Sequence, residues 1–218
     1  TSFDVLEQLY PTTYADINED DHLIVQRINT LHLKDVNVET TTGFIKITDA
    51  LTGPNNEINA KAKIYIDNLL KKFDYDTKKI IEKDFNIFEL KAIVGQCNVL
   101  PLVGKVILER FGLRDEKIMN LNKLDNFLNI VSSQYKDTTL YHNNLHGADV
   151  TQSICLFFLN SNAEKMFQTT LLDLLSIFIS ALGHDISHPG LTNNFQINAS
   201  TELAITYNDT SCLENFHC

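Results

Sequence analysis

The sequence is short of positive charge. Its 218 residues carry 18 Lys and Arg against 28 Asp and Glu, a formal net charge of −10 at pH 7. No basic stripe is present to offset a phosphate backbone, which excludes a nucleic-acid polymer as partner. A small phosphorylated ligand is not excluded, because bound cations can invert the local field. Cysteine is sparse and scattered: Cys97, Cys155, Cys212 and Cys218 form neither a CxxC pair nor a zinc-finger spacing. They are expected to be reduced thiols of a cytoplasmic protein. The chain opens TSFDVLEQLY, with no basic segment followed by an apolar one, so it does not open on a signal peptide. It also opens without Met, which leaves room for residues upstream. The most apolar run, Leu171 to Leu182, is interrupted by Asp173, Ser176 and Ser180. It is too short for a transmembrane segment and reads as a buried helix. The acidic run INEDDH lacks the spacing of a calcium loop, and no internal repeat or low-complexity tract is found.

An apolar fraction of 44% and a charged fraction of 21% do support a substantial core. The length suits one sizeable domain, or one domain with an appendage. Up to about Asn56 the pattern is weak. Val36 and Val38, then Ile45 and Ile47, alternate around a Thr-Thr-Gly turn and favour a short hairpin, and LTGPNNE breaks the chain. From Glu57 the period becomes helical. Ile58, Ala62, Tyr65, Ile66, Leu69, Leu70 and Phe73 form one apolar face. Pro101 is placed to open a helix that Gly112 closes. Leu121, Leu124, Leu128 and Val131 mark the next helix. A further helix is expected from Tyr141 to about Asn160, and a buried one from about Ala163 to Leu182. Ser211-x-x-Glu214 has the form of a capping box. The expected fold class is all-α.

Two stretches carry candidate chemistry. In YHNNLHGADV, His142 and His146 are four residues apart. On a helix they would lie roughly 6 Å apart on one face. A satisfied pair of core or surface histidines would look the same. In ALGHDISHPG, however, His184 and Asp185 are adjacent and His188 follows. A charge beside an apolar helix is costly to bury unless it is paired or coordinated. Imidazole with carboxylate suits zinc, and carboxylate oxygen also suits magnesium or manganese. With two oxygens, Asp185 can touch two ions.

The ordered segments YHNNLHGADVTQS, GHDISHPGLTNNFQIN and ELAITYNDTSCLENFH resemble successive signatures of the class I 3',5'-cyclic nucleotide phosphodiesterases. FNIFELK and VLPLVGKVILERFGL resemble the segments that precede them in that family, so the likeness runs from about Phe85 to the C-terminus. It implies a compact helical bundle of HD type, with a zinc and a second ion, magnesium or manganese, at the base of a pocket. Carried over by motif, His146, His184 and Asp185 are metal ligands, with Asp185 shared. His142 is the general acid and Tyr141 lines the substrate pocket. His188 lies near the second ion's waters, and Asn193 and Glu214 support the ligands from outside. The implied activity is hydrolysis of cAMP or cGMP to the nucleoside 5'-monophosphate, which ends cyclic nucleotide signalling. A homodimer or a larger assembly is left open.

Gly147 stands where the family commonly has Ala, and Phe216 where a second His is common. In the family's order a further metal aspartate, a purine-binding glutamine and an apolar clamp follow Cys218. Residues 74–218 are therefore expected to be an incomplete catalytic domain, inactive by itself, behind an N-terminal segment (1–73) with one amphipathic helix. Three other readings compete. One is a non-catalytic relative serving as a scaffold subunit. One is an HD-type phosphohydrolase of acyclic nucleotides. The third is a di-iron bundle, for which Glu214-x-x-His217 supplies one of the two E-x-x-H motifs needed.

Overall fold

The computed structural model describes residues 56–218, with side chains from residue 63 onward. The hairpin expected near residues 36–47 lies outside the described residues. The chain divides into two units at Ile66/Asp67, and the second unit, Asp67–Cys218, holds every candidate site residue. All regular structure among the described residues is helical, as the all-α expectation requires. No single described helix is long and apolar enough to cross a membrane.

Helix α1 (Asn56–Lys72) carries the dividing point. A 3₁₀ turn (Thr77–Ile81) follows, and then α2 (Ile87–Val94), where the Asn86 side chain accepts from the amides of Phe88 and Glu89. Gly95, at φ 78°, ends α2 and begins α3 (Gln96–Arg110) at an angle of 117° to it. α3 is the central helix. Val99, Leu100, Val103, Ile107 and Leu108 are all fully buried in it. It packs against α4 (Leu121–Gln134), α5 (Asn144–Asn160) and α7 (Leu171–Gly183). Gly104 makes the close approach possible, since a Cβ there would lie 3.1 Å from Leu128 and 3.3 Å from Leu182. Each fully buried aliphatic side chain contributes about 1.5–3 kcal/mol. Phe111 against Phe178 (centroids 4.9 Å) and Phe158 (6.3 Å) closes one end of this core.

The helix expected around Pro101 begins five residues earlier than a proline at the first position would allow. Pro101 sits inside α3 and leaves the Cys97 carbonyl without an amide partner. The Ser132 hydroxyl of α4 donates to that carbonyl at 2.8 Å, which is why the proline is accommodated. Gly112 does close α3: at φ 68° it lets Leu113 N–H reach the Leu108 carbonyl at 2.8 Å. The long helix expected from Ala163 to Leu182 is broken into α6 (Ala163–Phe167) and α7. Gln168 is left-handed at φ 51°, and Thr170 with Asp173 forms a capping box that starts α7 afresh.

The remaining elements are short: α8 (Asn193–Asn198), α9 (Glu202–Thr206) and α10 (Cys212–His217). The capping box expected from Ser211 to Glu214 is absent. Ser211 is left-handed at φ 43° and makes no side-chain cap. Its place is taken by Asn193, whose Oδ1 accepts from Leu213 N–H at 2.9 Å while its amide donates to Glu214 at 2.8 Å.

Candidate metal centre

The site lies where α5 begins and α7 ends. Asn143 caps α5, accepting from Leu145 N–H, while its amide nitrogen donates to the carbonyls of Thr139 and Leu140. A cap at Asn143 puts Tyr141 and His142 in the preceding loop, not on the helix as their spacing suggested. The helical-face argument therefore fails for His142, though its ring still lies 5.6 Å from that of His146. His146 is in the first turn of α5. Asn144 anchors that turn, donating to the Gln96 carbonyl and the Ser132 hydroxyl. His184 caps the C-terminus of α7 and Asp185 comes next. The turn to His188 is held against the end of α4: Ser187, at φ 62°, donates its N–H to the Gln134 carbonyl at 3.1 Å.

Asp185 is the centre of the arrangement. Its Oδ2 lies 3.4 Å from His146 Nε2, 3.5 Å from His184 Nε2 and 4.0 Å from His142 Nε2, and its Oδ1 lies 3.9 Å from His217 Nε2. The Nε2 atoms of His146 and His184 face one another at 3.3 Å. Two groups are thereby able to hold a metal ion, His146–His184–Asp185 and Asp185–His188–His217, and they share Asp185.

The ring partners assign roles. His184 Nδ1 is 2.8 Å from the Ala181 carbonyl, which fixes the proton there and leaves Nε2 with a free lone pair. His188 Nδ1 accepts the Gly190 N–H at 2.9 Å, so its Nε2 carries the proton in the neutral ring and acts as a donor. His217 Nε2 is buried and has no hydrogen-bond partner, since 3.9 Å to Asp185 is too long for one. An orphaned ring nitrogen beside a carboxylate oxygen fits a cation or a water bound to one.

Burial, followed by the neighbouring His184, pushes the pKa of His146 down from its ordinary value. Burial followed by His142 does the same to His188, and burial is the leading cause at His217, where Asp185 opposes it. All three shifts favour the neutral rings, the form in which His146 and His217 keep a lone pair for a metal and His188 keeps Nδ1 as an acceptor. The rings of His142 and His188 stack at 3.9 Å, and those of His188 and His217 at 5.3 Å. His142 has the most exposed of these side chains at 38%, with His184 at 34% and Asp185 at 13%. Tyr141, 66% exposed, lays its ring 4.6 Å from that of His146.

Of the residues singled out from the sequence, His142, His146, His184, Asp185 and His188 converge, with Tyr141 at the edge. Asn193 and Glu214 form a separate pair whose hydrogen bond, first of all, holds the Glu214 carboxyl below its usual range. They hold α10, and so His217, in place. His217 itself was missed as part of the centre. Its signal was the E-x-x-H spacing, read only as half of a di-iron motif.

Residues 141–218 match the family model described as 3'5'-cyclic nucleotide phosphodiesterase, which bears out the resemblance seen in the motifs. The chain is 36% identical over 146 residues to the 3',5'-cyclic-nucleotide phosphodiesterase regA of Dictyostelium discoideum, covering 66% of this chain and 18% of that protein. It is 36% identical over 134 residues to the human high affinity cAMP-specific and IBMX-insensitive 3',5'-cyclic phosphodiesterase 8A, covering 62% and 16%. Against the cGMP-specific 3',5'-cGMP phosphodiesterase 3 of Dictyostelium discoideum it is 39% identical over 114 residues, covering 52% and 24%. Among solved structures, it matches the phosphodiesterase domain of Salpingoeca rosetta rhodopsin phosphodiesterase with 34% identity and a TM-score of 0.49, over 65% of this chain and 42% of that one. The chain spans under a quarter of the length of these three curated relatives.

Proposed function

We propose that residues 74–218 of this chain, of which 141–218 carry the 3',5'-cyclic nucleotide phosphodiesterase signature, are part of a catalytic domain. Its reaction is hydrolysis of a 3',5'-cyclic nucleotide, cAMP or cGMP, to the nucleoside 5'-monophosphate, ending a cyclic nucleotide signal in the cytoplasm. The observation that supports this best is the sharing of Asp185 between two ligand groups beside an accessible imidazole. His146, His184 and Asp185 would hold one ion; this imidazole-rich set suits zinc. Asp185 with His217 would border the second, where a hard oxygen ligand suits magnesium or manganese. Divalent ions there supply charge neutralisation for the phosphate and acidify a water.

The chain's own groups do the rest. His188 Nε2–H donates toward the second position and orients an oxygen there. His142, in the loop before α5, exchanges protons with solvent and gives one to the departing 3' oxygen. Its stack on His188 fixes the ring plane. The exposed Tyr141 ring lines the approach to His142 and His146, where the nucleoside would lie. Elemental analysis with assays on cAMP, cGMP and an acyclic nucleotide ester tests the proposal in the full-length protein. Turnover of a cyclic nucleotide that is lost with chelation supports it. Metal-independent turnover, or turnover of the acyclic ester alone, overturns it.

A further inference from the structure

Tyr135 is 4% exposed, and its hydroxyl stands between three elements that the metal centre needs. It donates to the Leu182 carbonyl at 2.9 Å, and the Asp185 N–H approaches the same oxygen at 3.4 Å. A hydroxyl has one donor and two acceptor lone pairs, so both contacts can be made at once. Leu182 lies in the last turn of α7, where carbonyls lack helical partners, and the phenol takes up one of them. Burial raises the phenol pKa to about 12, so it remains a donor. On its other side the hydroxyl meets α5: a Cβ added to Gly147 would lie 2.7 Å from Tyr135 Oη and 3.0 Å from Cζ. Gly147 follows His146, and Leu182 lies two residues before His184. The phenol oxygen therefore sits between the α5 and α7 backbones, beside the residues that follow His146 and precede His184 in the chain. The preceding residue, Gln134, takes Ser187 N–H and its hydroxyl through its carbonyl at 3.1 and 3.3 Å. The end of α4 thus grips the ligand-bearing turn on both sides of Asp185.

We propose that the Tyr135 hydroxyl is a positioning group for the shared carboxylate of Asp185, and that Gly147 supplies the space that lets it reach there. The role in metal binding rests on the proposed function of the centre. The hydrogen-bond role in orienting the Asp185 backbone does not. Removing the hydroxyl frees the Asp185 amide and one α7 carbonyl without removing a ligand. Groups that orient ligands in this way typically contribute about 10–100-fold in metal affinity.

The experiment compares four proteins with the parent: Tyr135→Phe, Gly147→Ala, the double variant, and Phe158→Leu as a control for general loss of packing away from the carboxylate. Three quantities are read: Zn²⁺ affinity by chelator competition, the visible spectrum with Co²⁺ in place of zinc, and amide exchange at Asp185 in metal-free protein. Tyr135→Phe is expected to weaken Zn²⁺ about 10-fold, shift the Co²⁺ bands, and speed Asp185 exchange several-fold. Gly147→Ala is expected to move the same readouts in the same direction. The double variant should lose less than the two single losses combined, because the nearest atom that the new methyl would strike is gone, while Tyr135 Cζ at 3.0 Å and Leu100 Cδ1 at 3.1 Å remain. Phe158→Leu should lower the melting temperature and leave all three readouts unchanged. Parent-like affinity, spectrum and exchange in Tyr135→Phe, with only a lower melting temperature, would overturn the proposal. A parent that binds no Zn²⁺ would overturn the metal reading. Asp185 exchange would then still decide whether the phenol orients that residue.

Discussion

The α3–α4–α5–α7 core and the chain after His184 are built on different principles. The core helices run 13 to 17 residues, and their apolar faces meet around α3. After His184 the helices run only 5 or 6 residues. They are joined through left-handed residues: Ser200, Asn208, Asp209 and Ser211. Few residues there are buried, namely His188, Gln196, Ala204 and Cys212, and hydrogen bonds such as those of Asn193 with Glu214 and Leu213 do the holding. The centre straddles the two. His146 and His184 come from the densely packed part, whereas His217 comes from the part with little core. One ligand group is therefore preorganised by packing, and the other depends on a polar clamp.

The largest effect expected concerns the chemistry and not the fold. His142 lies in the loop, outside both ligand groups, so His142→Ala should cut turnover about 10²–10⁴-fold while metal content stays at the parental level. Loss of metal with turnover would make His142 a ligand. Next comes the core. Leu128 is fully buried against α3, and Leu128→Ala should cost about 2–5 kcal/mol in urea unfolding. A cost under about 1 kcal/mol, small for such a truncation, would mean that α3 and α4 are not the main stabilising contact.

Asn193→Ala separates the two regions directly. Removing a cap typically costs about 0.5–2 kcal/mol. Here the loss should appear as faster amide exchange over residues 212–218, with exchange in α3 unchanged. Equal acceleration in both regions would show that they unfold as one unit. The smallest effect is on pH dependence. His146, His188 and His217 have folded-state pKa values below the ordinary 6.5. Below that ordinary value the unfolded chain takes up protons that the folded chain resists, so folding is disfavoured there. Metal-free protein should keep full stability above about pH 6.5 and lose it as pH falls. Urea midpoints on either side of that pH measure this, and a flat profile would contradict the depressed values.

Legibility in the sequence divides along the same line. α4 was visible because Leu124, Leu128 and Val131 repeat at helical spacing and are buried. The break after Phe167 was missed because apolar residues continue on both sides. It is set by Thr170 and Asp173 competing with the helix for backbone groups. Pro101 misled because the Cys97 carbonyl that it leaves vacant is satisfied by a hydroxyl 35 positions along the chain from Cys97, which no local pattern reveals. At the site, the motif residues were found as motifs. That His142 lies off the helix depends on Asn143 acting as a cap, and asparagine is common in many other roles. His217 was hidden because its place beside Asp185 comes from a long-range clamp on α10. In the sequence Gly147 stands out only as a departure from the family's Ala. Its neighbour Tyr135 gives it a steric reason instead.

The central claim is that one carboxylate joins two ligand groups. Zinc and magnesium content of Asp185→Ala, measured beside the parent by elemental analysis after equilibration with both ions, tests it most directly. With Asp185 shared, the variant should lose the second ion altogether and hold the first more weakly, through His146 and His184 alone. Parental occupancy of both ions in Asp185→Ala would contradict the claim.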